Sequence, residues 1–153
     1  MRKISEEELK NILENHKVWL QTNKKDGKRA DLNQVDLSVV DLSNADLTGA
    51  ILSDADLTEA NLTGVNLYDA DLADANLSKA NLIYSNLAHA NLSKTDLSNT
   101  NLEYANLCHA DLADANLSKA NLIYSNLAHA NLNYTYLGNT NLYKAITGAL
   151  SEI

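Results

Sequence analysis

The chain contains no proline and no phenylalanine, and only one tryptophan, one methionine and one cysteine in 153 residues. A lone Cys108 excludes an internal disulfide and agrees with a reducing compartment, so it reads as a small outward spacer. Basic charge is also scarce. Twelve Lys and Arg stand against 20 Asp and Glu, and the formal net charge of −8 opposes direct association with nucleic acid or an anionic membrane. No apolar run in the first 30 residues is longer than Val18–Leu20. Neither a secretory leader nor a membrane span is therefore expected, and the expected location is the cytoplasm.

What is present is a repeat. Leucine recurs every fifth residue from Leu32 to Leu142, 23 times without a skip. Two positions earlier stands Ala 14 times, Thr four, Val three and Ser twice. The residue just before each leucine is Asn 13 times and Asp eight, with Ile51 and Tyr136 as exceptions. A period of five scatters side chains around an α-helix and alternates them across a flat strand. All the leucines share one interior only if the chain turns in every unit, which makes an all-β solenoid. Tyr84, Tyr104 and Tyr124 lie 20 apart, as do His89, His109 and His129, and residues 70–92 recur unchanged at 110–132. A circuit of 20 has four sides, whereas a three-sided coil would repeat at 15 and throw the copied columns out of line. Nearly six coils at strand spacing give a tower about 27 Å tall.

These units of the form A-[D/N]-L-x-x, from Ala30 to about Ala145, resemble the pentapeptide-repeat family. The resemblance implies a right-handed four-sided β-helix with Leu as the central inward residue and the preceding Asp or Asn bonded to local backbone. Most of the family is without assigned activity, so the resemblance names no reaction, and the function expected first is a non-enzymatic scaffold for protein interaction.

Three segments are expected: a capping helix with its connecting loop at 1–29, the β-helix at 30–145, and a short C-terminal piece at 146–153. Ser5 with Glu8 forms a capping-box pattern, and Leu9, Ile12, Leu13, Trp19 and Leu20 keep helical spacing to about Gln21. Asp26-Gly27 signals a turn into the tower, bringing Lys24, Lys25, Lys28 and Arg29 near the acidic first coils. His16 is expected as a partly covered cap residue. At the other end, Tyr134, Tyr136, Tyr143, Ile146 and Leu150 either cap the last coil or pair two towers as a homodimer, the arrangement the resemblance implies for topoisomerase-binding members.

Two further sets of residues are candidates for contact. Residues 31–75 hold ten carboxylates (Asp31, Asp36, Asp41, Asp46, Asp54, Asp56, Glu59, Asp69, Asp71, Asp74) and no base. Their density is admissible for a mimic of duplex DNA, which carries one charge per ~1.7 Å. Family members related to fluoroquinolone resistance bind DNA gyrase in this way, although this chain lacks their central Phe and coil insertions. The Tyr84/Tyr104/Tyr124 and His89/His109/His129 columns are either stabilising ladders or a protein-binding strip. Histidines stepped by ~4.8 Å converge poorly on one ion, and no metal or cofactor is expected. Inward Ser85, Ser125, Thr95, Thr100, Thr135 and Thr140 are expected to bond local backbone. An enzyme at an exposed face is the least favoured class, because no coil carries an insertion that would build a cleft.

Overall fold

The computed structural model describes residues 1–148. Its first elements are a two-residue strand β1 (Arg2–Lys3), the helix α1 (Glu6–Gln21) and the strand β2 (Val35–Asp36), which pairs in parallel with β1. From there the backbone forms single parallel bridges, each joining a residue to the one 20 later, from Asp31↔Ile51 to Asn126↔Ile146. The register never slips, so each circuit consumes four five-residue units, as the spacing of the copied columns requires.

Each unit turns by the same device. The N–H three residues after each leucine bonds back to that leucine's carbonyl, as in Val35 to Leu32 at 3.2 Å and Ala105 to Leu102 at 3.0 Å. The residue two after each leucine has positive φ at all 23 positions, between 55° and 66°, while the residue before it does not. That combination is a type II turn, which favours Gly or Asn at its third position. Only Gly49 and Gly64 supply glycine there. Val39, β-branched with φ 55°, is the most strained of the set. Because the outlier is common to every turn, the strain marks the architecture and not a particular site.

The turns aim leucine and the small residue inward. From Leu32 to Leu127 every repeat leucine is at most 3% exposed, and the alanines between them pack into one continuous core. A larger residue in the small position would crowd the leucines of adjoining coils. Thr100 and Ser125 bond the carbonyl of the leucine three before, as expected. Thr95, Thr135 and Thr140 differ: their hydroxyls donate to leucine carbonyls 23 residues back, at 2.7–3.0 Å, which ties successive coils together. The buried Ser85 hydroxyl has no partner among the described residues.

The residue before the leucine caps the turn. All 21 Asp and Asn residues there accept, through Oδ1, the N–H two residues on, at 2.9–3.3 Å. Asn adds something Asp cannot. Nine Asn side chains donate Nδ2 to the Oδ1 of the Asp or Asn 20 earlier, forming a ladder along the outside of the rod. Asp56 follows Asp36 in the same column, and there no side-chain amide donates from one coil to the other, the Ser38 and Thr58 hydroxyls each bonding the carboxylate of their own turn. Asp56→Asn should therefore stabilise the protein by about 0.5–1.5 kcal/mol, by adding a ladder bond and removing a like charge. A raised chemical-denaturation midpoint at unchanged slope would bear this out.

Helix α1 starts as the sequence indicates: Ser5 Oγ accepts the Glu8 N–H at 3.1 Å. The reciprocal half of the capping box is absent, because the Glu8 carboxylate instead pairs with Arg2, which β1 brings across the helix start. Ile4, Leu9, Ile12 and Leu13 pack against the core. The return to the tower passes Gly27, with φ 74°, whose Cα lies against the backbone of Asn15 and Trp19. Lys24, Lys25, Lys28 and Arg29 form no ion pair within 4 Å among the described residues; Lys3 instead faces Asp36 at 4.0 Å. Lys24 lies over the Trp19 ring at 5.1 Å, and Arg29 bonds the Gly49 carbonyl. No helix among the described residues is long and apolar enough to cross a membrane.

Candidate functional site

The regular turn leaves its third residue pointing outward in every unit, and residues 20 apart stack into columns. In one column Tyr84, Tyr104 and Tyr124 stack with ring centroids 5.0 Å apart and interplanar angles of 15° and 3°. They remain 64%, 43% and 40% exposed, so an approaching molecule can reach them. Partial burial, and to a smaller extent repulsion from the neighbouring phenols and Glu103, holds the Tyr104 phenol above its ordinary pKa. Lys144 ends the column, its ammonium 5.3 Å from the Tyr124 and Tyr143 rings and 3.3 Å from Tyr124 Oη.

At the next turn His89, His109 and His129 stack at 4.9 and 4.8 Å, with Tyr68 edge-on to His89 at 5.3 Å. Asp69 precedes His89 in that column and Cys108 sits beside His109. Among the described residues no group of three His, Cys, Asp or Glu side chains is arranged to hold a metal ion.

The ten carboxylates do not form one face. Asp31, Asp36, Asp41, Asp46, Asp56 and Asp71 cap turns on all four sides. Asp54 and Asp74 share an outward column, Glu59 pairs with Lys79 at 2.9 Å, and Asp69 lies with the histidines. Hydrogen bonds from Ser38 hold the Asp36 carboxyl below its ordinary pKa, with a smaller contribution from Lys3, and those from Ser43 do the same for Asp41. The sign follows from the lowered folded values. These bonds contribute stability above the ordinary carboxylate pKa and lose it as pH falls through the folded value.

The C-terminal coil presents Tyr134, Tyr136, Tyr143 and Ile146, each 59–89% exposed, around partly buried Leu132, Leu137 and Leu142. Leu150 lies outside the described residues. At the opposite end a cleft of about 610 Å³ is lined by Arg2, Ser5, Asn11, Asn15, Lys28 and Asp31 among others. Its Arg2 is already engaged by Glu8.

Spacing alone did not reveal the burial of His16. It is fully buried, on the same helical stripe as Ile12, Leu13 and Trp19, and its Nδ1 accepts the Ala30 N–H at 3.1 Å. The signal was present, since residue 16 completes the i, i+3, i+4 pattern, but an imidazole is not counted among apolar residues.

The sequence matches the model for pentapeptide repeats, in eight copies, over residues 28–64, 41–78, 60–99, 75–112 and 110–146. No curated protein matches it. Among solved structures, Rfr23, a pentapeptide repeat protein from the cyanobacterium Cyanothece 51142, is 39% identical with a TM-score of 0.58, covering 60% of this chain and 63% of that one. This chain thus spans less than two thirds of Rfr23. HetL from Nostoc sp. strain PCC 7120, a pentapeptide repeat protein involved in heterocyst differentiation regulation, is 32% identical, covering 78% and 70%, with a TM-score of 0.26. QnrB1, a plasmid-mediated fluoroquinolone resistance protein, is 17% identical, covering 78% and 75%, with a TM-score of 0.43. With its five-residue turns, 20-residue register and leucine core matched from residue 28 to 146, the chain belongs to the pentapeptide-repeat family and is a right-handed β-helix.

Proposed function

We propose that the chain is a non-enzymatic scaffold that binds another protein along the Tyr84, Tyr104, Tyr124 strip, with His89, His109 and His129 beside it. Residues 30–145 form the rod, residues 1–29 cap it, and residues 146–153 either close the far end or join two copies there. The supporting observation is the exposed tyrosine stack. Three rigid aromatic rings in line offer large contact area at little entropic cost, on a rod whose other outward residues are mostly small or charged. The test is capture of partners from the native cell by immobilised wild-type protein and by a Tyr84→Ser/Tyr104→Ser/Tyr124→Ser variant. A protein retained by the first and lost by the second supports the reading. Equal retention by a variant with wild-type unfolding behaviour returns the column to a purely structural role. Light scattering distinguishes a closed end, with monomer mass at high concentration, from a C-terminal homodimer.

A second reading makes the rod an acidic mimic of DNA that occupies a type II topoisomerase such as gyrase. Its support is charge alone: of the ten carboxylates in residues 31–75, only Asp36 and Glu59 have a basic partner within 4 Å among the described residues. Purified protein at large molar excess should then inhibit gyrase supercoiling, and an unaffected reaction ends this reading.

A further inference from the structure

We propose that His16 is a proton-sensitive latch that holds α1 on the first coil, so that acidification releases the helix and uncovers the N-terminal end of the solenoid.

The latch is built from one buried contact. Nδ1 of His16 accepts the N–H of Ala30, the first small inward residue of the repeat, and both residues are 0% exposed. An accepting Nδ1 carries no proton, so the ring's single proton sits on Nε2. That atom is buried without a hydrogen-bond partner among the described residues. A second proton would place an N–H against the Ala30 N–H at 3.1 Å, converting the bond that joins helix to coil into a repulsion. It would also place a charge where no water reaches it.

The groups facing the ring come from each element packed on it. Trp19, on α1 itself, stacks at 5.4 Å with an interplanar angle of 19°. Asp46 and the Thr48 backbone, from the first coil, favour the charged ring, whereas Arg29, from the connecting segment, opposes it. Burial is the largest influence and carries the balance towards the neutral form, below the ordinary histidine value of 6.5. A base whose folded value is lowered stabilises the docked state fully above the unfolded value. That stability falls as pH drops from there through the folded value. The other three histidines are exposed and stacked on the rod, remote in sequence from the cap.

Trp19 reports on the latch directly, because it is the only tryptophan and lies against His16. Emission of the full chain, followed from about pH 8 to about pH 5, should show one reversible transition with its midpoint below the ordinary histidine pKa. Between the two pKa values the released population should rise about tenfold per pH unit. In His16→Gln, whose amide oxygen can accept the Ala30 N–H, the transition should vanish. In His89→Gln/His109→Gln/His129→Gln it should remain. A flat wild-type response, a transition that survives in His16→Gln, or one lost in the ladder variant would each overturn the latch. If His16→Gln does not fold, imidazole nitrogen shifts of the wild type decide. Titration of His16 in step with Trp19 supports the proposal, and titration at the ordinary value with the helix still docked refutes it.

Discussion

Leu92→Ala should lower unfolding stability by about 2–5 kcal/mol, the range for truncating a fully buried leucine where the surroundings relax only partly. Leu92 is 0% exposed and lies mid-rod, with whole coils above and below it. The stacked backbone prevents those coils from closing the gap, because each is bonded at fixed spacing to both neighbours. Leu142→Ala is the control. Leu142 sits in the last coil and is only partly buried, so its truncation leaves a cavity open on one side and should cost less than half as much. Chemical denaturation of both variants tests this, and equal losses at the two positions would show that the core is not organised as continuous layers.

Gly27→Ala should detach or severely loosen α1, by roughly 2–5 kcal/mol from left-handed strain and overpacking together. A methyl there would fall 2.4 Å from the Asn15 carbonyl and 2.6 Å from the Trp19 nitrogen, and these are backbone atoms that cannot turn aside. Gly49→Ala separates space from strain. Its φ is 66°, but the nearest atom to a new methyl is Trp19 Cη2 at 4.0 Å, and 21 other turns hold non-glycine residues in this conformation. It should cost about 1 kcal/mol. Trp19 emission and the helical signal at neutral pH measure both. A Gly27→Ala protein with its helix docked as in wild type would mean that the connecting segment can reroute.

The repeat was legible because it is a collective signal. No single leucine identifies a coil, but 23 at one odd spacing exclude every straight element, and the copied tyrosines and histidines set the circuit at 20. The helix start was legible through Ser5, whose contact is local. Its other half was not, because the Glu8 carboxylate is taken by Arg2, and the short β1 that places Arg2 there carries no pattern. The same distinction governs the inward threonines. Thr100 bonds within its own turn, as a sequence-local argument anticipates, but Thr95, Thr135 and Thr140 choose carbonyls in the preceding coil, which only stacking brings within reach. His16 escaped for a third reason. Its burial depends on what the helix face meets, and the partner, the Ala30 N–H, lies 14 residues away across a turn.

The amide ladder gives the rod a direction. Backbone bonds between coils run both ways along it, but all nine Asn-to-column bonds point towards the N-terminal end, each amide handing its proton one coil back. Aligned side-chain dipoles therefore add, in the manner of peptide dipoles in a helix. The longest file, Asn126 through Asn106, Asn86 and Asn66, ends on the carboxylate of Asp46. Four single-bond files end likewise on Asp41, Asp71, Asp96 and Asp111, and one, from Asn121, ends on the amide of Asn101. A carboxylate is the natural terminus for such a file, since it receives a proton donor and has none to pass on. Part of the acidity of the early coils is thus the electrical counterpart of the asparagines behind them.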